Sequence, residues 1–599
     1  MRLYRVAALL ISSLTALTVL HGAPTAKPRI RLLVPEPYCT PGSRVVAHVQ
    51  VVSSSPGLLS LRVLDEHHEP VTQLVLGRVE PGEISLELKA PLEEGLYYLE
   101  ALFNSSPTTL LALAREPLPV TREWERPLLV ALVWHCHQGV NMRPDGVFHG
   151  PWAFVHVYRD EFAPYYRGGA YRLHAELMEK HRGVNATYNL SPSLLWQWLY
   201  AVRLGYIDGL SGEVYPPNSS QVRAVREVLG IFSKLVEEGR VEVLTSFFNH
   251  PIPGYVVDRY EWGVTVMGEE LKWGLAVTRE ALGVHAAGAW IPEMYFSMKL
   301  LKLLARAGIR YTVLDARYHL SRARGAIATP YEPYLLVSGN ESLVVFFRDT
   351  EISNLISFGI ELRDEVDAAI MARRVVAEIL ARRVSHPGAR VVVIAADGEN
   401  WLLGSPLRAV FLDLLLSYLE SCRLIRTTTL SGVLRNVNAT RTITWVPSTS
   451  WAGGDWVWVS LSENKVQWSL IEEAAEYYER VKRGCGEGPI SQAALFALFT
   501  ALNSDVIHRE YVMLSHTEAW SREVEMICRL GAQEANKLLL NHMTPNLSAA
   551  RATTDCRPCT LSIYDLLPQL AITLSLASII LLVAIKRRRK ASRAFKDRR

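Results

Sequence analysis

The sequence predicts an α/β chain: a (β/α)7-type barrel with an N-terminal β-sandwich, a C-terminal helical region and one C-terminal transmembrane helix. Three observations predict it. Short β-type runs separated by Pro/Gly turns fill the N-terminal part, strands and helices alternate from Pro127 onward, and a twenty-residue stretch at 566–585 carries no charge. A block of strands followed by strand–helix alternation indicates an all-β domain and then a parallel sheet or barrel.

Taken in order, Arg2 and Arg5 precede an apolar run at 6–20, and small residues at 23–26 offer a cleavage site, so 1–26 reads as a signal peptide. Residues 27–122 read as the β-sandwich, from RIRLLV, RVVAHVQVV, LLSLRVLD, ISLELKA and GLYYLEALF. No aromatic platform is evident there, which favours a spacer or packing role over a carbohydrate-binding one. Residues 123–435 read as the barrel, with strands at 128–134, 184–189, 241–245, 286–290, 310–314, 343–347, 390–395 and 424–428. Helical stretches at 170–181, 193–203, 221–238, 297–307, 365–383 and 407–421 alternate with them, giving seven or eight units. A Trp-rich segment and a helical domain over 436–548 complete the cleft, followed by a stalk at 549–565. The uncharged stretch at 566–585 is long enough to cross a bilayer at ~1.5 Å rise per residue. The basic tail at 586–599, opening with Lys586-Arg587-Arg588-Arg589-Lys590, is then cytoplasmic and the bulk of the chain external.

Charge is distributed to match. The tail contributes a net +8 and the leader +2, so the overall +4 leaves about −6 for the external part. A nucleic-acid partner therefore lacks electrostatic support. Seven cysteines, an odd number, permit disulfides in an external setting, with connectivity open. Cys556-Arg557-Pro558-Cys559 is too small for a four-ligand zinc site and reads as a local disulfide or two thiols. Seven Asn-x-Ser/Thr sequons fit an external glycoprotein.

The chemistry gathers at four predicted strand ends. These carry Trp134-His135-Cys136-His137-Gln138, then Thr245 through Asn249-His250-Pro251, then Trp290-Ile291-Pro292-Glu293, and finally Asp397-Gly398-Glu399-Asn400. The carboxyl ends of barrel strands are where barrel enzymes place their sites. Two apposed carboxylates, here Glu293 with Asp397 or Glu399, are the equipment of a glycosidase. Such chemistry needs no cofactor. His135-x-His137 leaves a metal site incomplete unless a carboxylate joins it, so no metal is expected.

These clusters resemble glycoside hydrolase family 57, especially its α-amylase and amylopullulanase-like members, from about Pro127 to Tyr511. The first motif, WHCHQ at 134–138, is similar to that family's Trp-His-x-His-Gln-Pro, and PWAFVHVYRDE and NATYNLSPSLLWQ extend the match. The second, GRVEVLTSFFNHPI at 239–252, is similar to the Gly-x-Val-Glu segment with its downstream His-Pro. The resemblance implies that Glu293 is the nucleophile and Asp397 the general acid/base of a retaining reaction on an α-glucan. His137 and His250 are then expected to bond sugar hydroxyls, with His135, Gln138 and Glu399 beside them. Trp290 and Trp401, with Trp134, are expected to offer faces to pyranose rings. TSWAGGDWVWVSLSENKVQW at 449–468 is similar to a segment lying over the cleft, making Trp451 and Asp455 candidate substrate contacts.

Three positions depart from the family pattern. Gly139 replaces the proline that follows His-Gln, Gly432 stands where an acidic residue commonly follows Ser, and Asn503-Ser504-Asp505-Val506 lacks an aromatic continuation. Hydrolysis and 4-α-glucanotransfer share the covalent intermediate, so both remain open. A metal-dependent, polysaccharide deacetylase-like hydrolase and a non-catalytic glycan-binding surface protein are the readings from other classes. Oligomeric state is unspecified.

Overall fold

The computed structural model describes residues 27–541, so the expected signal peptide, stalk, membrane span and basic tail lie outside the described residues. Among the described residues no helix is long and apolar enough to cross a membrane. Two compact units emerge: one holds the chain through Asn464 together with Leu502–Val512, the other holds Lys465–Ala501 and the chain from Met513. The division therefore does not follow the boundary expected at 436. The Trp-rich segment and one short return segment belong with the barrel.

The N-terminal sandwich has seven strands in two sheets. Arg29–Leu33, Arg44–Val52 and Gly82–Lys89 form one sheet; Pro70–Val79, Gly57–Leu64, Gly95–Ser106 and Thr109–Val120 form the other. Strict alternation buries Val45, Ala47, Val49 and Val51 from one sheet against Leu59, Leu61, Val63, Leu99, Ala101 and Phe103 from the other. Two of the strands carry no readable sequence signal. Pro70–Val79 is exposed along most of its length, so no apolar alternation marks it, and Thr109–Val120 holds two prolines near its end.

Seven parallel strands close the barrel in chain order: Leu128–Cys136, Ala186–Leu190, Val241–Val243, Gly288–Ala289, Tyr311–Asp315, Glu341–Arg348 and Val391–Asp397, the last pairing with the first. The third and fourth meet through a single parallel bridge, Thr245 with Ala289. All nine residues of the first strand are buried, as a strand covered on both faces requires. The eighth predicted strand, Ile425–Thr427, does not enter the ring. It pairs with Leu128–Val130 at the start of the first strand, below the point where the second strand joins at Val133. In the smaller unit, Pro489–Ala501 is largely apolar and buried from Ile490 to Ala501 except at Gln492, the pattern of a helix at the centre of a bundle.

A buried ionic cluster docks the sandwich onto the barrel helix Glu365–Ser385. Arg373, 1% exposed, donates from Nε to Glu36 O (3.0 Å) and from Nη1 to Pro117 O (2.5 Å), with Glu116 Oε2 3.7 Å from Nη1. Arg374 also bonds Glu116, with Nε at 3.3 Å from Oε2. Removing one partner of a buried pair strands the other charge. Glu116→Ala is therefore expected to cost about 3 kcal/mol, read from urea unfolding; a loss below about 1 kcal/mol would contradict the docking role.

Candidate functional site

The ring brings the four predicted clusters to one face. Asp397 is the last residue of the seventh strand and pairs with His135 near the end of the first. Glu293 follows the fourth strand in a short 3-10 turn, Pro292–Met294, at φ 57° and ψ 15°. His250, after the third strand, has φ 56°. Left-handed backbone at non-glycine residues costs of order 1–3 kcal/mol and persists where surrounding structure imposes it. Here it aims a carboxylate and an imidazole at the face. Gly398 serves the opposite need: a Cβ there would come 2.4 Å from Cys136 Sγ, so only glycine lets the Asp-Gly-Glu turn lie against the first strand.

Glu293 and Asp397 are both partly exposed. Trp451 donates its indole N–H to Glu293 Oε2 (2.8 Å) and its backbone N–H to Glu293 O (3.1 Å). The Trp451 ring is itself fixed, edge-on to Trp290 at 5.5 Å and beneath the Arg348 guanidinium at 5.0 Å. Arg348 is locked by Asp315 Oδ2 (2.7 Å), Ala395 O (3.0 Å) and Asn354 Oδ1 (3.2 Å). Burial, then the neighbouring Asp397 charge, push the Glu293 carboxyl up to about 8 against the relief from Trp451. Burial likewise raises Asp397 to about 6, while Asn400, His137 and Arg348 pull it back.

The histidines form a relay. Asn189 donates from Nδ2 to Leu244 O (3.0 Å) and Thr245 O (3.3 Å), so its Oδ1 faces His135 Nδ1 at 2.8 Å and accepts from it. His135 Nε2 then accepts from His250 Nε2 (3.0 Å), and His250 Nδ1 accepts from the Ser504 hydroxyl (2.7 Å). Burial and the adjacent His137 hold His135 down to about 3 and His250 well below the usual range, consistent with two neutral rings. The ligand atoms of His135, His137 and His250 lie within 4.8 Å of one another. Yet His137 lies face to face on His250, with centroids 3.8 Å apart and planes 21° apart. Stacked rings run their lone pairs side by side, so sharing one tetrahedral cation would require the stack to open.

Several expected substrate contacts are wall rather than surface. Trp290 is 0% exposed and stacked on His135 at 4.6 Å, and Trp401 is 4% exposed and stacked on Trp134 at 6.1 Å; none of the three tryptophans offers a free face to a sugar. Glu399, 2% exposed, accepts the backbone N–H of His137 on Oε1 (3.2 Å), and burial with the Asp397 charge keeps its carboxyl raised. Its role is to hold His137. His135 and His250 are buried in the relay, leaving His137 and the partly exposed Gln138 nearer the open side. Asp455 sits at the start of Trp456–Val459, close enough to Tyr295 to contribute to raising its hydroxyl.

The segment around Gly432 lies at the other end of the barrel. Leu430 N–H donates to Thr187 Oγ1 (3.0 Å) and Ser431 N–H to Glu242 Oε2 (3.0 Å), near the start of the second and third strands. A Cβ at Gly432 would come 2.2 Å from Thr428 Oγ1. Its missing carboxylate therefore removes no group from the face that carries Glu293 and Asp397. Conversely, the sequence reading missed Arg348, Asp315 and Asn189, although each stands at or near a strand end, the signal that found the other clusters.

Glu293 provides a linkage test. Its carboxyl is raised from about 4.5 to about 8, so the folded state binds the proton more tightly and loses stability as pH climbs through that window. Glu293→Gln should leave the melting temperature unchanged near pH 4 and raise it by a few degrees near pH 8. A gap that is constant with pH would refute the raised carboxyl.

The sequence profile of glycosyl hydrolase family 57 matches residues 131–445. An α-amylase of Pyrococcus furiosus is 26% identical over 263 residues, 44% of this chain and 32% of that protein. A 4-alpha-glucanotransferase of Thermococcus litoralis is 25% identical over 263 residues, 44% and 31% of the two chains. The chain spans a quarter to a third of the length of the curated amylases it matches. Among solved structures, a branching enzyme from Thermococcus kodakaraensis superposes with a TM-score of 0.52 at 16% identity, covering 70% of this chain and 94% of that one. An α-amylase from Thermotoga maritima gives 0.51 at 14%, covering 70% and 97%. At these identities the structures support the fold alone.

Proposed function

Because the chain belongs to glycosyl hydrolase family 57, we propose that it acts on α-glucans by a retaining double displacement, with Glu293 as nucleophile and Asp397 as general acid/base. One observation carries the reading: two partly exposed carboxyls, one after the fourth strand and one at the end of the seventh, each raised by burial, with the Asp397 charge raising Glu293 further. Such a pair keeps one proton near neutral pH; the larger rise places it on Glu293 in the free enzyme, and it passes to Asp397 when a sugar binds between them, before the first step begins. The first step needs one proton and one charge, on opposite sides of the glycosidic bond. Trp451 favours the ionised form of Glu293, and Asn400, beside Asp397 at 3.5 Å, orients the acid.

In the first step Asp397 passes its proton to the departing glycosidic oxygen while a Glu293 oxygen bonds the anomeric carbon. In the second, Asp397 takes a proton from the incoming hydroxyl as the Glu293 ester breaks. Water as acceptor gives hydrolysis; a sugar hydroxyl gives transfer. The substrates that fit this reading are starch, glycogen, pullulan and maltooligosaccharides. The apolar run at 6–20, the uncharged stretch at 566–585 and the basic residues after it support an external enzyme tethered to the membrane.

Glu293→Gln should abolish glucan turnover, and Asp397→Asn should lower it about a thousandfold on polymer while sparing the first step, and so kcat/KM, for substrates whose leaving group needs no proton. Product anomers followed by NMR should initially keep the α configuration. Inverted products, or full activity in Glu293→Gln, would falsify the assignment.

A further inference from the structure

A cavity of about 890 Å³ opens at the base of the barrel, between the linker at 123–127, the turn at 387–390 before the seventh strand, and the short outer strand Ile425–Thr427. Its volume falls in the range of small-molecule sites, roughly 300–1,000 Å³. The first strand runs from Leu128 in this cavity to His135 on the polar face, a span of roughly 23 Å at the usual strand rise. The two concavities are therefore separate. Four arginines line the basal one: Arg126, Arg383, Arg390 and Arg426. Among the described residues none of the four has an ion pair with a carboxylate. Arg383 is the exception on its own helix, since Arg373, Arg374 and Arg382 all meet a carboxylate.

Neutral groups hold two of these guanidiniums in place. Arg383 donates from Nη1 to Ala389 O and lies over the Trp124 ring at 5.7 Å, and the Trp124 indole N–H is fixed on Thr121 Oγ1 at 3.0 Å. Arg426 donates from Nη2 to Asn436 Oδ1 (3.1 Å), whose Nδ2 is anchored on Gly432 O (2.7 Å). A guanidinium has five N–H donors, so most remain available to a ligand. Partial burial and the nearby Arg390 charge both lower Arg383 from its ordinary value, a crowding of like charges that a bound anion relieves. Glu123 and Glu125 also line the cavity, which leaves it a formal charge of +2. A phosphate monoester carries about −1.5 to −2 near neutral pH. Its oxygens match the planar guanidinium fork, and the acceptor-only glutamates suit sugar hydroxyls. We propose that this cavity binds a sugar phosphate, with the phosphate among Arg383, Arg390 and Arg426, the hydroxyls toward Glu123 and Glu125, and the ring against Trp124.

The test is calorimetric titration of the full chain with glucose 1-phosphate, and inorganic phosphate as the comparison. Arg390 and Arg426 are both exposed, so their replacement spares the packing of Arg383 on Trp124. Arg390→Gln is expected to weaken glucose 1-phosphate binding about tenfold, the loss of one charge-assisted contact. The double variant Arg390→Gln/Arg426→Gln should weaken it further, with a ligand-free melting temperature within about 2 °C of the wild type. Trp124→Leu should weaken the sugar phosphate and leave inorganic phosphate unchanged, which separates the ring contact from the anion contact. Glucan turnover by the arginine variants should stay at the wild-type level, because the cavity and the polar face are at opposite ends of the strands. Absence of glucose 1-phosphate binding at about 10 mM overturns the proposal. So does equal affinity in the double variant, which would locate the ligand elsewhere, or inorganic phosphate bound as tightly as the ester. A chain inactive on every α-glucan strikes at the glycosidase reading alone, and the titration still decides this one.

Discussion

Two backbone hydrogen bonds close the barrel: Thr245 N–H to Gly288 O at 3.1 Å and Trp290 N–H to Thr245 O at 2.8 Å. The site depends on this narrow seam. The fourth strand is only Gly288–Ala289, and a Cβ at Gly288 would press within 2.2 Å of the Tyr311 ring, so the closure needs a glycine. The same seam aligns the two loops it joins. Ser246 Oγ donates to Trp290 O at 3.0 Å, and Asn189 Nδ2 reaches Thr245 O, tying the histidine relay to the strand that carries Glu293. An open sheet would leave the third and fourth strand ends without a fixed separation, and the left-handed turns at His250 and Glu293 would lose the framework that holds them.

Much of this was legible in the sequence. Apolar runs ending in polar clusters located the face on which those clusters meet, because a strand buried on both sides reads as a continuous hydrophobic stretch. The same rule overcounted at residues 424–428, where an apolar run forms a short strand at the base of the first rather than an eighth member of the ring. It also missed Pro70–Val79, whose exposed faces leave no pattern. At the site, residue types were easier to read than roles. Trp290 and Trp401 suggested sugar platforms because exposed and buried tryptophans look alike in sequence, whereas packing spends both rings on neighbouring aromatic groups. Asp505 was nearly invisible, since Gly139, whose N–H it accepts, lies 366 residues earlier.

The electrostatic arrangement has a common logic. Three partly exposed carboxylates, Glu293, Asp397 and Asp505, crowd one face: Asp505 raises both of the others and Asp397 raises Glu293, while Asp505 itself is held low. Arg348 does not neutralise them directly. It is 4% exposed, paired with Asp315, and covered by the Trp451 ring, so its charge acts on Asp397 through protein rather than by contact with substrate. Neutral His135 and His250 add dipoles without charge. The face is thus acidic and supported by fixed hydrogen bonds, suited to groups whose protonation must differ within one pair.

The family match ends at residue 445, but the machinery does not. Trp451, which binds Glu293, Ser504, which bonds His250, and Asp505, which accepts the Gly139 N–H, all come later in the chain. A fragment cut at the matched boundary would retain both acids and lose their holders. The barrel is accordingly not self-sufficient when cut there, because side chains that hold its polar face are written in the chain that follows it.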